Sequence, residues 1–228
     1  MPTKDELLQE VQASFCKASP EAYSEIRESY LLKLNGSYDF IRDEICHCIT
    51  FNLFQASITL TNHLLELLMK NSLTIKDIGS AKITSLAEVN SKQAPSIKKY
   101  DSMTLEKTID ESFTQNIITD KERDRLHLYR KTLRNAYGHA EKGKLFKGDT
   151  FNGGMFKFDG SSTGELATVK TKDFLVIQPH AQRAKASHDA IPYFKYVDAI
   201  LVRLEKQHHP EIDEQPELYK RQFNFDSK

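Results

Sequence analysis

Apolar side chains recur every three or four residues from Phe40 through Ile41, Ile45, Cys48, Phe51, Phe54, Ile58, Leu64 and Leu65 to Leu68, and the pattern stops at Asn71. That period is helical, and a stripe this wide has to be covered by other helices. The segment therefore reads as one long helix, or two in line, at the centre of a helical bundle.

The rest of the chain supplies the partners. Thr3 and Glu6 form a capping box ahead of Leu7, Val11 and Phe15, which predicts a short first helix. Ser19-Pro20-Glu21 reads as an N-cap, a first-turn proline and an acid on the helix dipole, and Asn35-Gly36 supplies the stop. Residues 72–102 mix Gly79, Pro95, serines and lysines, so they read as a connection with at most a short helix. Leu105, Ile109, Phe113 and Ile117 mark a further helix. Thr119 and Glu122 form a second capping box, opening a helix that turns Leu126, Tyr129, Leu133 and Tyr137 inward and ends near Gly138.

A glycine-rich stretch follows. Gly143, Gly148, Gly153, Gly154, Gly160 and Gly164 fall close together, with Phe156 and Phe158 before one turn and Val169 and Val176 after it, which predicts a β-hairpin inserted at about 149–178. Past Pro179, the positions Phe194, Val197, Ile200, Leu201 and Leu204 predict a last helix with Pro192 in its first turn. The expected organisation is a mainly α, single-domain bundle over 1–209, with a small β-hairpin insertion before the last helix and a loosely attached polar tail at 210–228.

Charge narrows the function. Lys plus Arg equal Asp plus Glu at 32 each, so no global basic field draws the chain to nucleic acid or an anionic membrane, and any such contact needs a local patch. No apolar run is long enough to span a bilayer, and Met-Pro-Thr-Lys-Asp-Glu lacks the order of a secretory signal, so a cytoplasmic location is expected. Cys16, Cys46 and Cys48 make an odd set without disulfide-framework spacing, which suits a reducing compartment.

The segment Leu133-Arg134-Asn135-Ala136-Tyr137-Gly138-His139-Ala140 holds an Arg and a His with four residues between them, and a polar residue directly after the Arg. Upstream lie Asn62-His63-Leu64-Leu65-Glu66-Leu67-Leu68 and the polar turn Ile117-Ile118-Thr119-Asp120-Lys121-Glu122. In these three parts and their order the chain resembles the HEPN superfamily of ribonucleases, over roughly residues 37–142 and the last helix. The resemblance implies a homodimer whose two motifs share one composite site, with Arg134 and His139 catalytic and Asn135 beside them. It also implies service as a toxin or antiviral effector, with an antitoxin or defence-system partner.

The chemistry of the pair fits that implication. Cleavage of RNA by its own 2′-hydroxyl needs a group that exchanges a proton near neutral pH and a cation for the charge building on phosphorus oxygens. His139 suits the first task and Arg134 the second, so neither a metal nor a cofactor is required. Products with a 2′,3′-cyclic phosphate are expected, and DNA should be inert. On an ideal helix, residues five apart lie roughly 140° around the axis. Arg134 and His139 of one chain therefore do not converge without a redirection at Gly138 or a two-fold partner. Arg130, Lys131, Lys142, Lys144 and Lys147 form a local basic cluster for the RNA backbone, and Tyr137 either stacks a base or packs in the core.

Rival readings stand beside this one. Glu44-Ile45-Cys46-His47 and Glu205-Lys206-Gln207-His208 match the Glu-x-x-His spacing of di-iron bundles, and Cys46-His47-Cys48 is poor zinc spacing because helical neighbours diverge. The alternative within the same family is a non-catalytic module that dimerises or binds RNA.

Overall fold

The computed structural model describes residues 3–6, 9, 19–34, 36–79, 85–134, 137, 146, 148–156, 162–173 and 177–220. The chain is mainly helical. Helix α1 (Pro20–Leu31) begins as its sequence dictates: Ser19 Oγ accepts from the Ala22 N–H at 3.2 Å and Pro20 occupies the first turn. Helices α2 (Gly36–Thr50) and α3 (Phe54–Ile78) are not in line. Asn52 adopts a left-handed φ of 58°, the Leu53 N–H reaches back to the Cys48 carbonyl at 2.7 Å, and the chain reverses. Asn71 Nδ2 then donates to the Tyr38 hydroxyl at 3.1 Å, joining the far ends of the hairpin. Continuous helical spacing hides such a reversal, because both arms bury their stripes against each other. Ile45, Ile49, Ile58, Leu64, Leu65 and Leu68 are all buried.

The region expected as a connection is largely helical. Helix α3 runs past Asn71, burying Ser72, Leu73 and Thr74, and stops where Gly79 takes a φ of 74°. Ser85 Oγ then caps α4 (Leu86–Glu88), a π turn spans Val89–Gln93, and α5 (Ala94–Asp101) follows with Pro95 in its first turn. α5 buries only Ser96 and Tyr100, so it carries no apolar stripe for a period to reveal.

Helix α6 (Leu105–Thr114) and helix α7 (Asp120–Tyr129) are joined by a tight turn, and the capping box opens α7 as read: Thr119 N–H donates to Glu122 at 2.7 Å and Glu122 N–H to Thr119 Oγ1 at 3.3 Å. A π turn, Arg130–Arg134, continues α7. Strands β1 (Thr150–Phe156) and β2 (Ser162–Lys170) pair antiparallel in register from Thr150↔Lys170 to Gly154↔Leu166.

Helix α8 (Gln178–His208) begins well ahead of Pro192, so that proline lies inside the helix and not in its first turn. Its missing N–H deprives the His188 carbonyl of an intrahelical donor. Burial of Ile191, Tyr193, Phe194, Val197 and Leu201, chiefly against α3, holds the helix together across that break. Helix α9 (Glu211–Glu214) buries Ile212. The Lys33 N–H donates to the Tyr219 carbonyl at 2.6 Å, and Leu32 bridges Lys220. Residues 210–220 are thus fastened to the α1–α2 turn, against the expectation of a loose tail.

One buried ionic network ties that turn to α8. Arg42, 1 % exposed, donates to Asp198 at 2.7 Å, to Asp39 at 2.9 Å, and to the carbonyls of Leu32 and Ser29, each at 2.7 Å. Asp39 in turn accepts from the Leu34 N–H through both oxygens. Every lone pair and donor set so engaged offsets part of the cost of removing these charges from water.

Candidate functional site

Arg134 ends the π turn that prolongs α7. A π turn closes hydrogen bonds between residues five apart, so it brings Arg134 nearer in angle to Tyr129 than the roughly 140° of α-helical spacing. Tyr129 packs its ring on Tyr193 of α8, centroids 4.6 Å apart, and on Tyr196 at 5.6 Å. Arg134 is half-buried, and the π turn that carries it packs against α3. It makes no ion pair among the described residues.

The Tyr193 hydroxyl donates to Asn62 Oδ1 of α3 at 2.8 Å. Tyr193 is fully buried, and burial raises its hydroxyl's affinity for its proton well above the ordinary range, with Tyr129 adding to the rise and the Arg134 charge opposing it. Tyr137 is half-buried and packs, as Ala181 does, against Phe146, and its hydroxyl donates to the Gln182 carbonyl at 3.4 Å. Burial raises its pKa too, and Asp189 of α8 adds to the rise. Core packing, the plainer of the two roles read from sequence, is what Tyr137 does here.

Asn135, His139, Lys142, Lys144 and Lys147 lie outside the described residues. Arg130 is not a free cation: its Nη2 pairs with Glu106 at 2.7 Å and its side chain is only 13 % exposed. Lys131 is exposed. One turn back, His127 Nε2 meets Asp110 at 2.8 Å. These two pairs tie α7 to α6, and with Asp124, Leu128 and Lys131 they line a shallow groove of about 440 Å³. Acids and bases alternate along it, so the groove is no simple basic track.

The rival constellations do not assemble. Among the described residues no group of three or more His, Cys, Asp or Glu side chains is placed to hold a metal ion. His47 lies edge-on to the ring of Tyr30 at 5.8 Å, while Glu205 is buried beside the Arg42 network, so the two Glu-x-x-His segments do different things. Cys46 is buried and Cys48 is half-buried, and neither forms a disulfide among the described residues. No helix among the described residues is long and apolar enough to cross a membrane.

The Asn62–Tyr193 bond was not legible in the sequence. Its partners lie 131 positions apart, and a lone tyrosine within an apolar helix face reads as core. No family model matches this chain, and neither does any curated protein or solved structure.

Proposed function

We propose that this protein is a metal-independent endoribonuclease of the HEPN class, acting as a homodimer in which Arg134 and His139 attack RNA through its own 2′-hydroxyl. The observation that supports this most is the setting of Arg134. A guanidinium without an ion pair among the described residues, held half-buried on a π turn, is pre-organised for a phosphate and has no competing carboxylate there. Its neighbour in the basic cluster, Arg130, is already neutralised by Glu106, so the two arginines are not interchangeable.

In this reading Arg134 offers a planar pair of N–H donors to non-bridging phosphate oxygens, and its charge stabilises the crowded phosphorane. His139 takes the 2′-hydroxyl proton or returns one to the leaving 5′-oxygen, and Asn135 steadies it. Lys131, Lys142, Lys144 and Lys147 hold the flanking backbone, with an affinity that falls as salt rises. A second copy supplies the opposing motif. The biological setting we assign is a toxin or antiviral effector restrained by a partner protein in the cytoplasm.

The test is cleavage of a defined RNA in excess chelator. Wild type should cut, and Arg134→Ala and His139→Ala should each lower kcat by about 100-fold or more, the scale of removing one transition-state donor or one general acid–base group. Equal cleavage by all three would assign the activity to a contaminant and end the ribonuclease reading. RNA binding without any cleavage would favour the non-catalytic module.

A further inference from the structure

Glu205, in the last turn of α8, is buried, and its Oε2 has no hydrogen-bond partner among the described residues. It lies seven residues beyond Asp198, on the face of α8 that Asp198 turns to α2. Arg42 of α2 has no donor left for it. Nε and one Nη2 hydrogen go to Asp198, Nη1 to Asp39 and the Leu32 carbonyl, and the other Nη2 hydrogen to the Ser29 carbonyl, which takes up all five N–H groups. Ionised, Glu205 adds a third carboxylate charge to Asp39 and Asp198 around one guanidinium, at the helix end where the dipole is itself negative. The titratable and charged groups acting on it are Tyr38, Asp39 and Arg42 from α2 and His209 at the end of its own helix. Burial lowers the pKa of His208 and His209 adds to the fall, so His208 is a weak source of counter-charge. On α9, Glu211 pairs with His209 at 3.2 Å and Asp213 with Lys206 at 2.6 Å.

The segment that follows is short and lightly held. The His209 N–H donates to the Glu205 carbonyl at 2.7 Å, α9 packs on α8, and the chain then runs to Tyr219 and Lys220, which pair with Lys33 and Leu32. Ile212 is the one buried residue of 209–220. We propose that residues 209–220 form a strap governed by a proton on Glu205: with Glu205 neutral the strap lies closed on the α1–α2 turn, and with Glu205 ionised it opens. The inference does not depend on the ribonuclease reading. A buried charge without a partner is relieved by reaching water, and unwinding the last turn of α8 with its strap sacrifices far less than breaking the Arg42 network would. The sign is fixed by linkage. Burial raises the pKa of Glu205 in the closed state, so closure is favoured below the ordinary carboxylate pKa and is lost as pH climbs through the closed-state one.

Amide hydrogen exchange of the full chain tests this, followed residue by residue by NMR from about pH 5 to about pH 8 and corrected for intrinsic rates, so that it reports the opening equilibrium. Lys33 is the reporter, because its N–H is held by the Tyr219 carbonyl and loses that acceptor when the strap lifts. In wild type its opening constant should rise by about 3-fold or more across the range. Lys33 should also exchange faster than Leu65 of α3 at every pH, because the strap opens while the core stays folded. Glu205→Gln keeps the shape of the side chain and removes its charge, so Lys33 opening should remain at the wild-type low-pH level throughout. His209→Gln removes the adjacent imidazole and should leave the rise in place. A flat wild-type response overturns the proposal, and so does a rise that survives Glu205→Gln. A rise abolished by His209→Gln would make the imidazole the titrating group and overturn the role of Glu205. Exchange of Lys33 no faster than that of Leu65 would mean that the strap opens only when the whole chain unfolds, which also overturns it.

Discussion

A buried arginine facing two aspartates is the residue on which the fold most depends. Burial lowers the Arg42 pKa, but Asp198 and then Asp39 more than reverse this, so it stays charged. Arg42→Ala would leave two buried carboxylates unpaired, and the expected loss is about 3–5 kcal/mol, read as a lowered denaturant midpoint. Glu205 sits nearby with Oε2 buried and without a hydrogen-bond partner among the described residues, and its pKa is raised, mainly by burial; His209 and Arg42 pull it down and Asp39 pushes it up. Tyr38 feels the same crowding: burial pushes its pKa up to about 12, the hydrogen bond from Asn71 draws it down and Glu205 adds to the rise. The sign follows from linkage. A carboxyl whose folded pKa is raised binds its proton more tightly in the native state, so its contribution favours folding below the unfolded carboxylate pKa and is lost as pH climbs through the folded one. Glu205→Gln should therefore raise Tm near neutral pH by about 2–4 °C, the shift that about 1 kcal/mol gives a chain of this size, with the gap closing toward pH 4. A gap that stays constant between pH 4 and 7 would show that ionisation of Glu205 is not its cause.

Among the elements, α7 was the most legible in the sequence, because a capping box is a local device that needs nothing from elsewhere in the chain. Thr119→Ala should cost about 1 kcal/mol, measured as a fall in thermal midpoint. Glu122 does more than cap, since Arg203 of α8 meets it at 2.9 Å; its loss should cost more than that of Thr119. The α2–α3 reversal at Asn52 was illegible for the opposite reason. The apolar period runs across the turn undisturbed, and one left-handed asparagine carries the whole change of direction. α5 was hidden because it buries a serine and a tyrosine where aliphatic residues would announce a helix. The extent of α8 was misjudged at Pro192, a residue whose local penalty, about 3 kcal/mol in a helix interior, is outweighed by tertiary burial that no window of sequence displays. At the site, the Arg134 motif was visible as a string. The π form of the turn that ends at Arg134 leaves no mark in the apolar period, and the Tyr193–Asn62 bond joins segments 131 positions apart, so both required coordinates.

At the scale of the whole molecule, three ties close the bundle: the Arg42 network, the apolar contact of α3 with α8, and the pairing of the α1–α2 turn with the segment ending at Lys220. The π turn that carries Arg134 packs against α3, and α3 is in turn packed against α8. A composite site predicts a specific behaviour on mixing. Arg134→Ala and His139→Ala, each inactive alone, should regain part of the wild-type rate when combined, provided that the Arg of one copy serves the His of the other. No recovery, with mixed dimers verified by mass, would place both residues of each site on one chain. The central claim is that the substrate's own 2′-hydroxyl is the nucleophile, and the end groups of the cleaved RNA report it most directly. Mass spectrometry of products formed in chelator should find a 2′,3′-cyclic phosphate and a 5′-hydroxyl, and a single 2′-deoxy substitution at the cut site should abolish cleavage there. Products ending in a 3′-hydroxyl and a 5′-phosphate, or undiminished cutting at the deoxy position, would contradict the account.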